Sequence, residues 1–221
     1  MGRRAPASLV VVALTCLVAL WGAAVASAEP IAMSNEEKQE RLLDILEAFV
    51  PRAEEFWRES DIDVPDTGYF RAEGPGVDRT RGQGNVAFDY ATLLVGRPHQ
   101  QSFAGVPRAV IWDHLRKQIR YVAYTNRYYQ PGGWGAVNQA AFKAYLTGWA
   151  AYVVWDQLDE DTQEAVANVV AHEADHFLAR YPGQYVPGNT QSEENAWNSS
   201  LLAFAAAAFP DHPHAEAWDR H

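Results

Sequence analysis

The sequence predicts an all-α fold built from helical hairpins. Three observations carry that reading. Apolar residues recur at spacings of three and four along most of the chain after Ser34. Strand signals, alternating apolar runs bounded by turn residues, are nearly absent. Connections rich in glycine, proline and aromatics punctuate the chain at intervals that suit helices joined in pairs.

Taken in order, residues 1–28 read as an export signal. Arg3 and Arg4 make a positive start, Leu9 through Trp21 an apolar run, and Ala26-Ser27-Ala28 an A-x-A cleavage site. The run falls short of the about 20 apolar residues a membrane span needs. Ala5 and Pro6 spoil a twin-arginine match, and Cys16 lacks a lipobox, so ordinary secretion to the extracellular space is expected. Ser34 with Glu37 forms a capping box, and Leu42, Leu43, Ile45, Leu46 and Phe49 follow at helical spacing. Pro51 is expected to kink or split this helix before Phe56 and Trp57. The stretch from Asp61 to Gly84 is rich in Gly, Pro, Asp and Arg and reads as loop. Further helices are expected at about 85–96, 106–127, 136–157, 161–180 and 191–208. Asp211 is a good N-cap for one more helix, opening at Pro213 and reaching the last residue, His221, about two turns on. A helix that short either docks on the core or begins a longer fold.

Cleavage after Ala28 leaves residues 29–221, a length that suits a single all-α domain. That span holds no cysteine, so a core rather than disulfides must stabilise it. Loss of Arg3 and Arg4 takes the formal charge from −10 to −12. Such a balance argues against nucleic acid and against anionic membrane surfaces. A local arginine still permits an anionic substrate.

The connections fall into two kinds. Those before the helices at 85, 136 and 191 carry aromatics and glycines, such as Tyr128-Tyr129-Gln130-Pro131-Gly132-Gly133-Trp134-Gly135. The connection at 157–161 is short and plain. In an up-down helical array alternate loops share an end, so the rich loops are expected to gather at one mouth, where loops carry function.

His172-Glu173-Ala174-Asp175-His176 matches H-E-x-x-H. Two imidazoles four apart on a helix can hold one zinc beside a glutamate base, which makes a secreted zinc metallopeptidase using His172, Glu173, His176 and Glu194 one alternative. Asp175 is an unusual residue there, and Glu173 lies on the apolar stripe of Val166, Val170 and Phe177, which fits a buried tie between helices. Thr190 with Glu193 forms a capping box. Glu194 continues the stripe of Trp197, Leu201 and Phe204, and Asn195 aligns with Asn198, so polar groups extend an apolar face towards a cleft. Trp134 and Tyr128 could stack on a sugar face or pack between hairpins. Arg79 and Arg81 could meet a carboxylate or lie solvated. His212, His214 and His221 read as surface residues. The candidate substrate-binding set is Trp134, Tyr128, Arg81, Glu194, Asn195 and Trp197, with no metal and no cofactor assigned.

Helical hairpins, the Gly133-Trp134-Gly135 turn, the run Val170-Ala171-His172-Glu173-Ala174-Asp175, the run Glu193-Glu194-Asn195-Ala196-Trp197-Asn198, and Phe209-Pro210-Asp211-His212-Pro213 together resemble α/α-toroid proteins. The type is that of chondroitin AC/alginate lyases and heparinase II/III, in its uncharacterised secreted bacterial members. The resemblance covers most of residues 29–221. It implies a partial α/α toroid that binds an oligosaccharide or polysaccharide at one mouth, with Asn195 placed to neutralise a uronic acid carboxylate. A full toroid has about twice as many hairpins, and its proton-transfer pair comes from later helices. The resemblance therefore implies the N-terminal part of such a fold and leaves catalysis open. A non-catalytic helical scaffold is the remaining alternative.

Overall fold

The computed structural model describes residues 33–71, 81–135, 139–180 and 192–220. The expected signal at 1–28 and the connections 72–80 and 181–191 lie outside them. The described residues form seven α-helices and two small antiparallel strand pairs, so the all-α expectation holds. None of these helices is long and apolar enough to cross a membrane.

Packing divides the chain after Glu40 into two units. In the first, the capping box forms as expected. The Glu37 N–H donates to Ser34 Oγ at 3.1 Å, and the Ser34 N–H donates to Glu37 Oε2 at 2.7 Å.

The second unit, Arg41–His221, holds the remaining elements. Helix α1 (Asn35–Glu55) runs unbroken through Pro51, contrary to the expected split. Pro51 lies near the C-terminal end, where its missing N–H removes one bond from a helix about to stop. Strand β1 (Trp57–Glu59) pairs with β2 (Gly68–Phe70), and β2 falls inside what the sequence suggested was loop. The pair is fastened from outside: the Phe70 N–H donates to the buried Gln83 Oε1 at 3.0 Å, and Gln83 Nε2 returns a bond to the Phe70 carbonyl. Gln83 opens the buried side of α2 (Arg81–Gly96), and Gln118 of α3 donates to its carbonyl.

Helix α3 (Arg108–Tyr124) starts later than the sequence suggested. The residues before it form a second hairpin, β3 (Ser102–Phe103) with β4 (Val106–Pro107). The Arg108 N–H closes that hairpin on the Gln101 carbonyl at 2.8 Å. Helix α4 (Ala140–Val153) ends in a 3₁₀ turn at Trp155–Gln157. Helix α5 (Glu160–Arg180) is capped by Asp159, whose Oδ1 accepts from the Thr162 N–H at 2.9 Å and from Arg120 at 3.0 Å. Helices α6 (Ser192–Ala208) and α7 (Ala215–Asp219) follow, and α7 docks on α6 and α5.

Two layers result. The even-numbered helices form one, with α4 packed between α2 and α6. Helices α3, α5 and α7 form the other, with α5 against both its neighbours. Hairpin partners α2/α3, α4/α5 and α6/α7 meet across the layers. The core between them includes Leu93, Ile111, Leu115, Ile119, Val170 and Leu201, all fully buried.

Helix α4 touches α2, α5 and α6, and its sequence explains how. It buries Ala140, Ala141, Ala144, Gly148, Ala150 and Ala151, so neighbouring backbones come close. A Cβ on Gly148 would stand 2.6 Å from Phe204 Cε1 and 2.9 Å from Val170 Cγ2, below any ordinary contact.

A polar knot joins α1, β1, α2 and α3. The Tyr90 hydroxyl donates to Glu54 Oε1 at 2.6 Å, and His114 Nδ1 lies 2.9 Å from Glu54 Oε2. Trp57 stacks on the His114 ring at 3.8 Å. Asp89, half-buried on α2, has no bonded partner among the described residues, and burial raises its pKa from 3.8 to about 6. A carboxyl with a raised folded pKa contributes stability below pH 4 that is lost as pH rises through 6. Asp89→Asn should therefore stabilise the fold by about 1–2 kcal/mol at pH 8, allowing for solvent screening, and leave it unchanged at pH 4. Urea denaturation at the two pH values measures the difference.

Candidate ligand-binding face

Helix α4 buries mostly small residues, with Leu146 and Lys143 the large exceptions, and carries its aromatics along one side. Phe142, Tyr145, Trp149 and Tyr152 stand at i, i+3, i+7 and i+10, the spacing of a single helical stripe. Trp149 is 36 % exposed and Tyr152 47 %, large values for rings in the middle of a packed layer. Their planes are within 10° of parallel, with centroids 5.9 Å apart. Phe204 of α6 braces both edge-on, at 84° to Trp149 and 89° to Tyr152. It also meets the Tyr145 ring at 6.0 Å. At the N-terminal end of the stripe Phe142 packs on Trp197 of α6 at 5.1 Å. The face is thus a row of rings held by a second row, with its orientation fixed by edge contacts.

The sequence-derived candidates do not form one group. Trp197 joins the stripe through Phe142, and Asn195 is half-buried on the same helix. Glu194 and Arg81 sit on the first turns of α6 and α2, with side chains outside the described residues. Tyr128 goes elsewhere. It is 49 % exposed, contacts Tyr129 at 4.8 Å and leans on His172 of α5 at 5.4 Å. Tyr129 in turn accepts from Asn168 Nδ2 at 2.9 Å, and burial raises its pKa despite that bond. Asn168 lines a cleft of about 350 Å³ between α5 and Phe209–His212. Of the three rich loops, 128–135 lies among the described residues, the first only as far as Arg71, and 181–190 not at all, so the expected gathering at one mouth lies outside the described residues.

Trp134 is a strut. Its Nε1 donates to the Val122 carbonyl at 2.8 Å, and the buried Lys143 ammonium lies 4.4 Å above its ring. The turn it belongs to is closed by the Trp134 N–H on the Thr125 carbonyl at 3.1 Å and the Arg127 N–H on the Trp134 carbonyl at 2.8 Å. Gly135, at φ 138°, is required here. A Cβ would collide with Glu173 Oε1 and with the Arg127 side chain.

That contact shows what the H-E-x-x-H glutamate does. Glu173 is fully buried, and its Oε1 accepts from the Nδ2 of Asn126, also fully buried, at 2.9 Å. It ties α5 to the turn after α3, as its place on the apolar stripe suggested. His172 Nε2 receives Arg127 Nε at 3.4 Å, on the exposed side. Asp175 accepts from Trp218 Nε1 at 2.9 Å and lies 2.8 Å from His214 Nδ1, which pins α7. His214 is therefore a docking residue as well as an exposed one. Among the described residues no three His, Cys, Asp or Glu side chains converge as a metal site requires.

The residues that sequence reasoning passed over are Tyr145, Trp149 and Tyr152. Their signal was present: four aromatics at 3–4 spacing in one helix whose other positions are mostly alanine and glycine. No family model, no curated protein and no solved structure matches this chain.

Glu173→Ala should orphan the buried Asn126 amide and cost about 1–3 kcal/mol, while Glu173→Gln, which keeps an acceptor, should recover most of it. Chemical denaturation of both variants gives the comparison. Equal stability of wild type and Glu173→Ala would contradict the assigned tie.

Proposed function

We propose that this chain is an oligosaccharide-binding protein of the helical-hairpin class, with the ligand lying along the α4 stripe. The observation that carries the proposal is the pair Trp149 and Tyr152, exposed beside the half-buried Tyr145 on a helix whose buried positions are mostly alanine and glycine. Aromatic faces pack on the C–H faces of sugar rings, and rigid rings lose little conformational freedom on binding. Edge-on bracing by Phe204 favours a preformed platform.

The finer reading is a partial α/α toroid of the polysaccharide-lyase type. Its support is the alternation of layers, in which successive hairpins add one helix to each. An export signal at residues 1–28 would deliver the protein to the extracellular space, where polysaccharides are met. The stripe supports binding rather than turnover: it offers rings and hydroxyls, and no acid–base pair of the kind lyases use for proton transfer.

The competing zinc-peptidase reading draws no support from Glu173, whose carboxylate is spent inside the core on Asn126 rather than held beside an open coordination site.

The double variant Trp149→Ala/Tyr152→Ala should reduce oligosaccharide affinity by about 5- to 150-fold, since each stacked ring contributes about 0.5–1.5 kcal/mol. Both rings are substantially exposed, so its circular dichroism spectrum should stay that of the wild type. Isothermal titration against a panel of oligosaccharides is the check. Unchanged affinity in the double variant, or no binding by the wild type, would overturn the proposal.

A further inference from the structure

The α4 stripe has a chemical bias beyond its shape, and it bears on which saccharide could lie there. Helices α4 and α6 together contain three ionisable side chains of the acidic and basic kinds: Lys143, Glu193 and Glu194. Lys143 is 5 % exposed and engaged over the Trp134 ring, on the side away from the stripe's exposed positions. The other two are acids. No cation on either helix is thus free to meet a carboxylate laid along the rings. The chain as a whole is acidic, with a formal charge of −10.

The stripe nevertheless offers hydrogen bonds. The hydroxyls of Tyr145 and Tyr152 and the indole N–H of Trp149 have no bonded partner among the described residues, and none of the three is a buried orphan. Trp149 and Tyr152 are exposed and Tyr145 is half-buried, so neutral donors stand beside apolar ring faces. That combination, ring faces alternating with unspent neutral donors, matches a ligand with apolar C–H faces and hydroxyl edges. A docked protein helix would cover the rings and leave the three donors without acceptors, a cost of about 1–3 kcal/mol for each one buried.

We infer that the α4 stripe selects uncharged saccharides over uronic-acid polymers. The inference rests on the oligosaccharide-binding reading and sharpens it. A uronate placed on the stripe would be desolvated with no cation of α4 or α6 to meet it, which works against binding. A neutral hexose chain loses only hydroxyl hydration, which Tyr145, Trp149 and Tyr152 can replace.

The test uses the purified protein and matched pairs of hexasaccharides: cellohexaose, laminarihexaose, maltohexaose and mannohexaose, each against the same oligomer with its C6 positions oxidised to carboxylates. The expected result is that at least one neutral member binds at least tenfold more tightly than its oxidised partner. That binding should be insensitive to sodium chloride, and Trp149→Ala should weaken it about two- to tenfold. An oxidised member binding as tightly as, or more tightly than, its neutral partner would overturn the selectivity while leaving the oligosaccharide reading intact. Binding by none of the eight overturns both. In that case sedimentation velocity, comparing wild type with Trp149→Ala, shows whether the face is instead an interface between two copies of the chain.

Discussion

The close approach of helices at Gly148 is the constraint on which the rest of the structure depends. Gly148 lets Phe204 of α6 and Val170 of α5 sit against the α4 backbone at the same level. With Ala140, Ala144 and Ala151 it makes α4 a thin rod that three neighbours can reach. Helix α4 is then central to both layers, against α2 and α6 in one and α5 in the other. Its aromatic residues share one direction, and that direction becomes the stripe. The candidate binding face is in this sense the complement of the packing: small residues gather the hairpins, and the displaced bulk is displayed.

Around that rod, a few buried polar ties fix how the hairpins join. Glu173 and Asn126 hold α5 to the turn after α3, and Gly135 leaves room for that carboxylate. Asp175, one helical step from Glu173, reaches the other way to Trp218 and His214 and holds the short α7, which would be marginal alone. The run His172 to His176 therefore faces in several directions at once. Glu173 looks inward, Asp175 looks to the chain's last helix, and His172 looks out towards Arg127 and Tyr128. A metal-binding helix needs its two histidines and its base to converge on one exposed point. Here the base is in the core.

Much of the architecture was legible because it follows from periodicity and caps. Ser34 with Glu37 marked a helix start that forms as written, and the helices expected near 161–180 and 191–208 appear at Glu160–Arg180 and Ser192–Ala208. Glu173 was recognisable as an internal tie from its position among Val166, Val170 and Phe177. Other features depend on partners distant in sequence. The strand Gly68–Phe70 exists because Gln83 supplies bonds to its edge, and nothing within its three residues announces that. The sequence left Trp134 open between stacking on a sugar and packing between hairpins; Val122 and Lys143, distant in sequence, take its N–H and one face. The stripe escaped for the opposite reason. In a helix as apolar as α4, rings at 142, 145, 149 and 152 cannot be told from core until the alanine side is known to face the neighbours.

The central claim is that Trp149 lies where ligand binds and that Trp57, Trp134 and Trp218 serve the fold. Fluorine NMR of protein labelled with 5-fluorotryptophan separates these roles in one spectrum. Upon titration with the best-binding neutral hexasaccharide, the Trp149 resonance, assigned from Trp149→Phe, should shift and saturate, and those of Trp57, Trp134 and Trp218 should stay in place. A saturating shift of Trp57 or Trp218 with Trp149 unmoved would contradict the claim.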